Sequence, residues 1–220
     1  GIPPVISGVQ RHTEGRPLGA FYDRPIKSFD DANHNGIIEL SEIVVGDSAE
    51  YRGSPQPTRE FSLSQILTLF RGKIRVLGQL DYKGGFRQYN STEEFRCTST
   101  GNNCRAIHDP TASLEDQATA VARRFHGSAT NWGFIEDGTF LKLRELGVTY
   151  NLPDKWAAAI GSQRANITVA GRNLHTWTGY KGVDPEVNQL GQASFNGFQV
   201  RDFLTQPQIR TFIVRANLTF

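Results

Sequence analysis

The chain has 220 residues with a formal net charge of +2; 38% of them are hydrophobic and 21% charged. That balance excludes a disordered chain, in which low hydrophobicity goes with high net charge. With no Lys/Arg cluster of the kind that tracks phosphates, it also argues against a nucleic-acid partner. Apolar runs are only a handful of residues long, so no helix can span a bilayer, which takes about 20 consecutive apolar residues. Strands escape that criterion, because a barrel strand needs only about 9–11 residues with every second one facing lipid. The opening Gly-Ile-Pro-Pro carries no signal peptide and reads as a processed product or a fragment.

In chain order, Phe21 to Pro25 reads as extended. The first strong motif follows at Asp31-Ala-Asn33-His-Asn35-Gly36-Ile37-Ile38-Glu39-Leu40-Ser41-Glu42. It matches the twelve-residue EF-hand calcium loop at its diagnostic places. Asp31, Asn33 and Asn35 supply side-chain oxygens, Ile37 a carbonyl, Glu39 the ninth position and Glu42 a bidentate carboxylate. Asn replaces Asp at two ligand positions, which lowers the charge of the site, and no helix precedes it. The expectation is a structural Ca2+ pinning a loop rather than a sensor; the alternative is an Asx-rich hairpin turn without metal.

Glu60 to Gly84 reads as two strands about an Arg71-Gly72-Lys73 turn. The second alternates Ile74, Val76, Gly78, Leu80 and Tyr82 with Arg75, Leu77, Gln79, Asp81 and Lys83. In a barrel Arg75, Gln79 and Asp81 face the lumen; a half-solvated sheet of a soluble sandwich has the same alternation. Residues 85–133 form a long polar connection. Cys97 and Cys104, the only cysteines, are read there as a local disulfide, with zinc assisted by His108 disfavoured for want of further ligands. A helix is expected from Ser113 or Leu114 to about Phe125. Phe140–Leu152 is a strand whose phase changes at Arg144-Glu145, the mark of a β-bulge. A helical turn at 154–160 and a strand at 164–177 follow, then a second long polar loop, 181–207. Residues 208–220 alternate to the last position, with Phe212, Val214, Ala216, Leu218 and Phe220 on one face.

Short turns therefore alternate with long loops, as in outer-membrane barrels. The expected fold is all-β: an antiparallel transmembrane β-barrel segment with long extracellular loops. Its organisation is a loop region at 1–56 carrying the 31–42 motif, followed by barrel strands at 57–220. Trp177, Tyr180 and Phe195 are candidate substrate contacts. No enzyme is expected: His residues are scattered, no HExxH, Gly-x-Ser-x-Gly or Walker pattern occurs, and carboxylate pairs such as Glu136-Asp137 are ordinary surface features.

The set Gly15–Tyr22, Asp31–Ile38, Phe134–Arg144 running into Val148–Pro153, Val169–Tyr180, Val183–Val187, Gln206–Phe212 and Asn217–Phe220 resembles the C-terminal part of the SusC/RagA family of TonB-linked outer-membrane transporters. The resemblance covers nearly the whole chain, with Arg215 departing where a Gly is common. It implies a large plugged barrel in the cell outer membrane with loops outside. It also implies import of oligosaccharides or peptides, a SusD-like surface lipoprotein as partner, outer-membrane lipid around the strands, and TonB reached through an N-terminal part lacking here. About five or six strands cannot close such a barrel, so the chain is either a fragment or a segment put to another use. Alternatives are a SusC-like binding or scaffold subunit of a larger membrane or surface assembly, and a soluble calcium-stabilised glycan-binding β-sandwich.

Overall fold

A computed structural model describes residues 5–99, 103–125, 127, 129–189 and 200–220. In chain order the strands are β1 Val5–Ser7, β2 Gln10–His12, β3 Ala20–Asp23, β4 Ile26–Phe29, β5 Ile43–Val45, β6 Glu50–Gly53, β7 Arg59–Leu69, β8 Ile74–Gly84, β9 Arg87–Tyr89, β10 Ile135–Asp137, β11 Phe140–Asn151, β12 Arg164–Thr178 and β13 Thr211–Thr219. The helices are α1 Ser91–Thr98, α2 Arg105–His108, α3 Leu114–Arg124 and α4 Asp154–Ala159. They divide between two compact units. One comprises residues 1–58, 85–139 and 179–207, the other 59–84, 140–178 and 208–220.

The second unit is one antiparallel sheet in the order β13-β12-β11-β8-β7, with α4 in the β11–β12 connection. Register explains its two faces. Opposed pairs such as Phe61↔Tyr82, Leu67↔Val76, Val76↔Val148, Val148↔Val169 and Val169↔Val214 place one parity of every strand on a common side. That side is apolar and open: Phe61, Leu63, Leu67, Leu69, Leu146, Val148, Ile167, Val169, Phe212, Val214 and Leu218 are each at least 42% exposed. The other parity carries Ser62, Arg75, Gln79, Asp81, Thr149, Thr168 and Arg215. The β7–β8 turn spans Phe70, Arg71 and Gly72, all at positive φ (53°, 56° and 88°). A left-handed backbone suits Gly72 and is sparsely populated by the other two.

The register slips between Leu143 and Glu145 against both β8 and β12, so Arg144 is the bulged residue. The bulge re-aims its side chain: Arg144 Nε donates to Asp81 Oδ2 at 2.7 Å, and Ser62 Oγ donates to Asp81 Oδ1 at 2.8 Å. Burial alone would raise the Asp81 carboxyl. The hydrogen bonds from Arg144 and Ser62 and the Arg144 charge outweigh it and hold the group below its ordinary range.

Among the described residues β7 and β13 each pair on one side only, and the five strands do not close on one another. The expected transmembrane β-barrel segment is therefore corrected to an open antiparallel sheet among the described residues. The placement in the cell outer membrane is corrected with it, no closed barrel being found among the described residues, and Arg75, Gln79 and Asp81, expected to face a lumen, stand on the polar face of this sheet. No helix among the described residues is long and apolar enough to cross a membrane.

In the first unit a four-stranded sheet in the order β1-β2-β3-β6 packs fully buried Phe21 of β3 against Val9 and Ile135. A β4–β5 hairpin lies against α3, with Ile38 and Ile43 packed on Ala118 and Ala122. The alanines of α3 let the hairpin approach its axis closely. The helix starts where its sequence requires: Ser113 Oγ accepts the Asp116 N–H at 3.2 Å, Glu115 and Asp116 occupy the first turn, and Arg123 and Arg124 the last. The 85–133 segment, expected as a loop carrying the helix found as α3, is more fully folded, with β9 paired to β10 and α1 and α2 as further helices between them.

Candidate functional site

The 31–42 motif is the connection of the β4–β5 hairpin, closed by the Phe29↔Ile43 pair and by Asp30 N–H donating to Glu42 O at 3.2 Å. Asp31 turns both carboxylate oxygens inward, Oδ1 accepting the Asn35 N–H at 3.0 Å and Oδ2 the Gly36 N–H at 2.8 Å. Asn33 Oδ1 accepts the Asn35 N–H at 3.0 Å, and Asn35 Oδ1 accepts the Ile37 N–H at 2.7 Å. Gly36 sits at φ 79°, the left-handed turn that the sixth position of such a loop requires. Glu42 ends a short 3-10 turn, Leu40–Glu42, and reaches back across the loop, its Oε1 accepting the Ala32 N–H and its Oε2 the Glu39 N–H, both at 2.9 Å.

This donor set is hard oxygen from Asp31, Asn33, Asn35 and Glu42, with the Ile37 carbonyl and Glu39 beside it, and so has the chemistry calcium prefers. Strands flank it instead of helices, so it has no helix pair to open. Its carboxylates are not tightly gathered. Among the described residues the sole group of three metal-ligating His, Cys, Asp or Glu atoms within 4.8 Å is Glu93, Cys97 and Cys104. Those two cysteines form a disulfide, with a Cα–Cα distance of 4.6 Å.

Gln117 of α3 ties the loop to the helix. Its Oε1 accepts the buried Ile38 N–H at 2.9 Å, and its Nε2 donates to Gly36 O and Ala112 O, both at 3.0 Å. Beside this anchor lies a mainly apolar cavity of about 390 Å³ between Ile37, Leu40, Ile107, Pro110, Val121 and Phe125.

A second, polar cavity of about 580 Å³ is walled by Arg96, Arg105, Asp116, Glu136 and Lys181. Its cations are already neutralised: Arg96 by Glu93 at 2.6 Å, Arg105 by Asp109 at 2.8 Å, and Lys181 by Asp116. Glu136 is pushed up by burial, against hydrogen bonds from the Lys181 N–H at 2.7 Å and Asn90 Nδ2 at 3.0 Å. Next to it, fully buried Asp202 accepts from Tyr180 Oη at 3.0 Å, Thr92 Oγ1 at 3.2 Å and Thr205 Oγ1 at 2.7 Å. Burial, with the nearby Asp202 charge, pushes the Tyr180 hydroxyl up and keeps it a donor.

The three candidate substrate contacts fare differently. Tyr180 is buried in the Asp202 network, while Trp177 is half exposed on β12, edge-on to His175 at 4.4 Å between ring centroids. Phe195 lies outside the described residues. Gln117 and Asp202 escaped sequence reasoning. The one available signal for Gln117 was a long polar residue sharing the alanine-rich face of a helix; Arg201-Asp202-Phe203 carries none.

No family model matches the chain. It is 34% identical over 198 residues to TonB-dependent receptor P3 of Formosa agariphila, and 24% identical over 208 residues to TonB-dependent receptor P26 of the same organism. Each alignment covers 87% of this chain but only 19% of the relative, so the chain corresponds to about a fifth of these receptors. In fold it resembles part of the RagAB peptide transporter, with a TM-score of 0.69 at 20% identity, covering 100% of this chain and 25% of that one. The 'closed-closed' state of the RagAB peptide importer gives a TM-score of 0.66. The expectation of no enzyme agrees with this homology, which is to a non-catalytic family. The expectation of a membrane-spanning transporter is corrected: among the described residues the strands form an open sheet and no closed barrel. What the comparisons establish is homology to part of TonB-dependent receptors and a fold like that of part of the RagAB transporter, in place of the fuller identification as the barrel end of a SusC/RagA transporter.

Proposed function

We propose that the chain is a SusC-like binding and scaffold element of a larger membrane or surface assembly. The observation behind this reading is the five-stranded sheet of the second unit, with a broad exposed apolar face and outer strands β7 and β13 that each pair on one side only among the described residues. Proteins that act alone rarely leave a contiguous apolar patch beyond a few hundred Å² or a long unprotected edge. A covering partner removes both costs. Each fully covered Val, Leu or Phe side chain contributes roughly 1.5–3 kcal/mol. Homology to RagA-type proteins supports a SusD-like surface lipoprotein as one member of the assembly. The 31–42 loop serves in this reading as a structural calcium site that stiffens the β4–β5 hairpin.

Dilute detergent-free solutions of the chain should bind a hydrophobic dye and self-associate. Replacing Phe212 and Val214 by lysine should weaken both effects. A chain that stays monomeric and dye-negative, with the amides of β7 and β13 protected from exchange, would refute the scaffold reading. For calcium, saturation at about 100 times Kd should add about 2.7 kcal/mol to the stability of the hairpin. Identical exchange of the Asn35 and Gly36 amides with calcium and with chelator would remove the metal from this account.

A further inference from the structure

The outward side of the β1-β2-β3-β6 sheet carries a second surface. Ile6↔Arg11, Arg11↔Ala20 and Tyr22↔Tyr51 are opposed pairs, so Ile6, Arg11, Tyr22 and Tyr51 share one face across four strands. The opposite parity holds Gln10 and Phe21, buried toward the core. On the outward face Tyr22 and Tyr51 meet edge to face with centroids 5.7 Å apart. The Arg11 guanidinium lies 5.1 Å from the Tyr22 centroid, and Arg16, from the β2–β3 connection, lies 4.5 Å from that of Tyr51. The order is cation, ring, ring, cation.

Stacking holds these guanidiniums in place without neutralising them. Among the described residues neither forms an ion pair, although Glu14 and Glu50 lie nearby in sequence, and Arg11 Nε is buried with no hydrogen-bond partner. Two immobilised, unneutralised forks call for two carboxylates, because Arg–carboxylate pairing is bidentate and charge-assisted. We propose that this face docks an acidic, extended segment of a partner protein. Alternate residues of an extended chain stand about 7 Å apart on one side, a spacing that lets carboxylates follow the row of rings. β1 and β6 are the edges of this sheet, and a strand laid along an edge gains main-chain hydrogen bonds as well. A sugar would need a bare ring face to stack on, and here each tyrosine carries a guanidinium.

The inference rests on the scaffold reading, for which it specifies one partner's chemistry; the residues it depends on, Arg11 and Arg16, lie in the first unit, away from the sheet that carries that reading, so either can fail separately. The full chain is titrated into a fluorescein-labelled decapeptide of alternating Glu and Ser, followed by anisotropy at about 50 mM and about 300 mM salt. Wild type should bind, less tightly at high salt. Arg11→Gln with Arg16→Gln should weaken binding at least about tenfold, whereas the charge-matched pair Arg59→Gln with Arg71→Gln should change it less than about twofold. Arg11→Lys with Arg16→Lys keeps both charges and fold, and should fall between them because lysine lacks the planar fork. No binding by wild type, equal losses in the two Gln pairs, or tighter Arg11- and Arg16-dependent binding of polygalacturonate than of the peptide would overturn the proposal.

Discussion

Gln117→Ala removes three hydrogen bonds at once: one from the Ile38 N–H at 2.9 Å and two to Gly36 O and Ala112 O at 3.0 Å. Ile38 is only 2% exposed, so water cannot easily replace the acceptor its N–H loses. An orphaned buried donor costs about 1–3 kcal/mol, whereas carbonyls nearer the surface recover solvent partners and lose at most about 1 kcal/mol together. The expected cost is about 2–3 kcal/mol, confined to the 31–42 loop and its seat on α3. Because the chain has two compact units, a global melting curve would blur this effect, and a local readout is needed. Hydrogen exchange of the Ile38 amide reports it directly. At 1.4 kcal/mol per factor of ten, exchange should quicken by about 30- to 150-fold. Gln117→Glu keeps the acceptor for Ile38 but loses the donor to Gly36 O, and should leave the Ile38 amide better protected than the alanine variant does. Unchanged Ile38 exchange in a folded Gln117→Ala protein would refute the role of this side chain as the tie between loop and helix.

Glu136 makes the first unit sensitive to pH. Burial raises its folded pKa above the ordinary 4.5, so the folded state holds its proton longer than the unfolded chain. The associated stability is fully present below about 4.5 and is lost as pH rises through the elevated folded value; Glu136→Gln should flatten that part of the stability profile. An unchanged slope in the variant would assign it to other groups. Reducing the Cys97–Cys104 disulfide, which closes a short loop on the buried side of α1, should lower local stability by about 2–3 kcal/mol and speed exchange in α1 and α2. If exchange in both helices is indifferent to a thiol reductant, the cross-link is not what holds them.

The local elements were legible because their determinants are local. Strict alternation in Ile74–Lys83 and Thr211–Thr219 specifies strands, the phase change at Arg144 specifies a bulge, and Ser113 with Asp116 specifies a helix start. The Asx-rich turn at 31–42 was legible because its Asx side chains bond their own backbone within a few residues. The strand count already told against closure, but only the tertiary structure set the order β13-β12-β11-β8-β7, since the alternation along a strand does not say which strands are neighbours. Only the tertiary structure showed that the 85–133 segment folds against residues 1–58, where Gln117 finds Ile38 across 79 positions, and against the later part of the first unit, where Thr92 finds Asp202 across 110. Such pairs are single polar side chains meeting single backbone or carboxylate groups. They leave no periodic trace in the sequence; for Gln117 and Ile38, what joins them is the packing of Ala118 and Ala122 against Ile38 and Ile43.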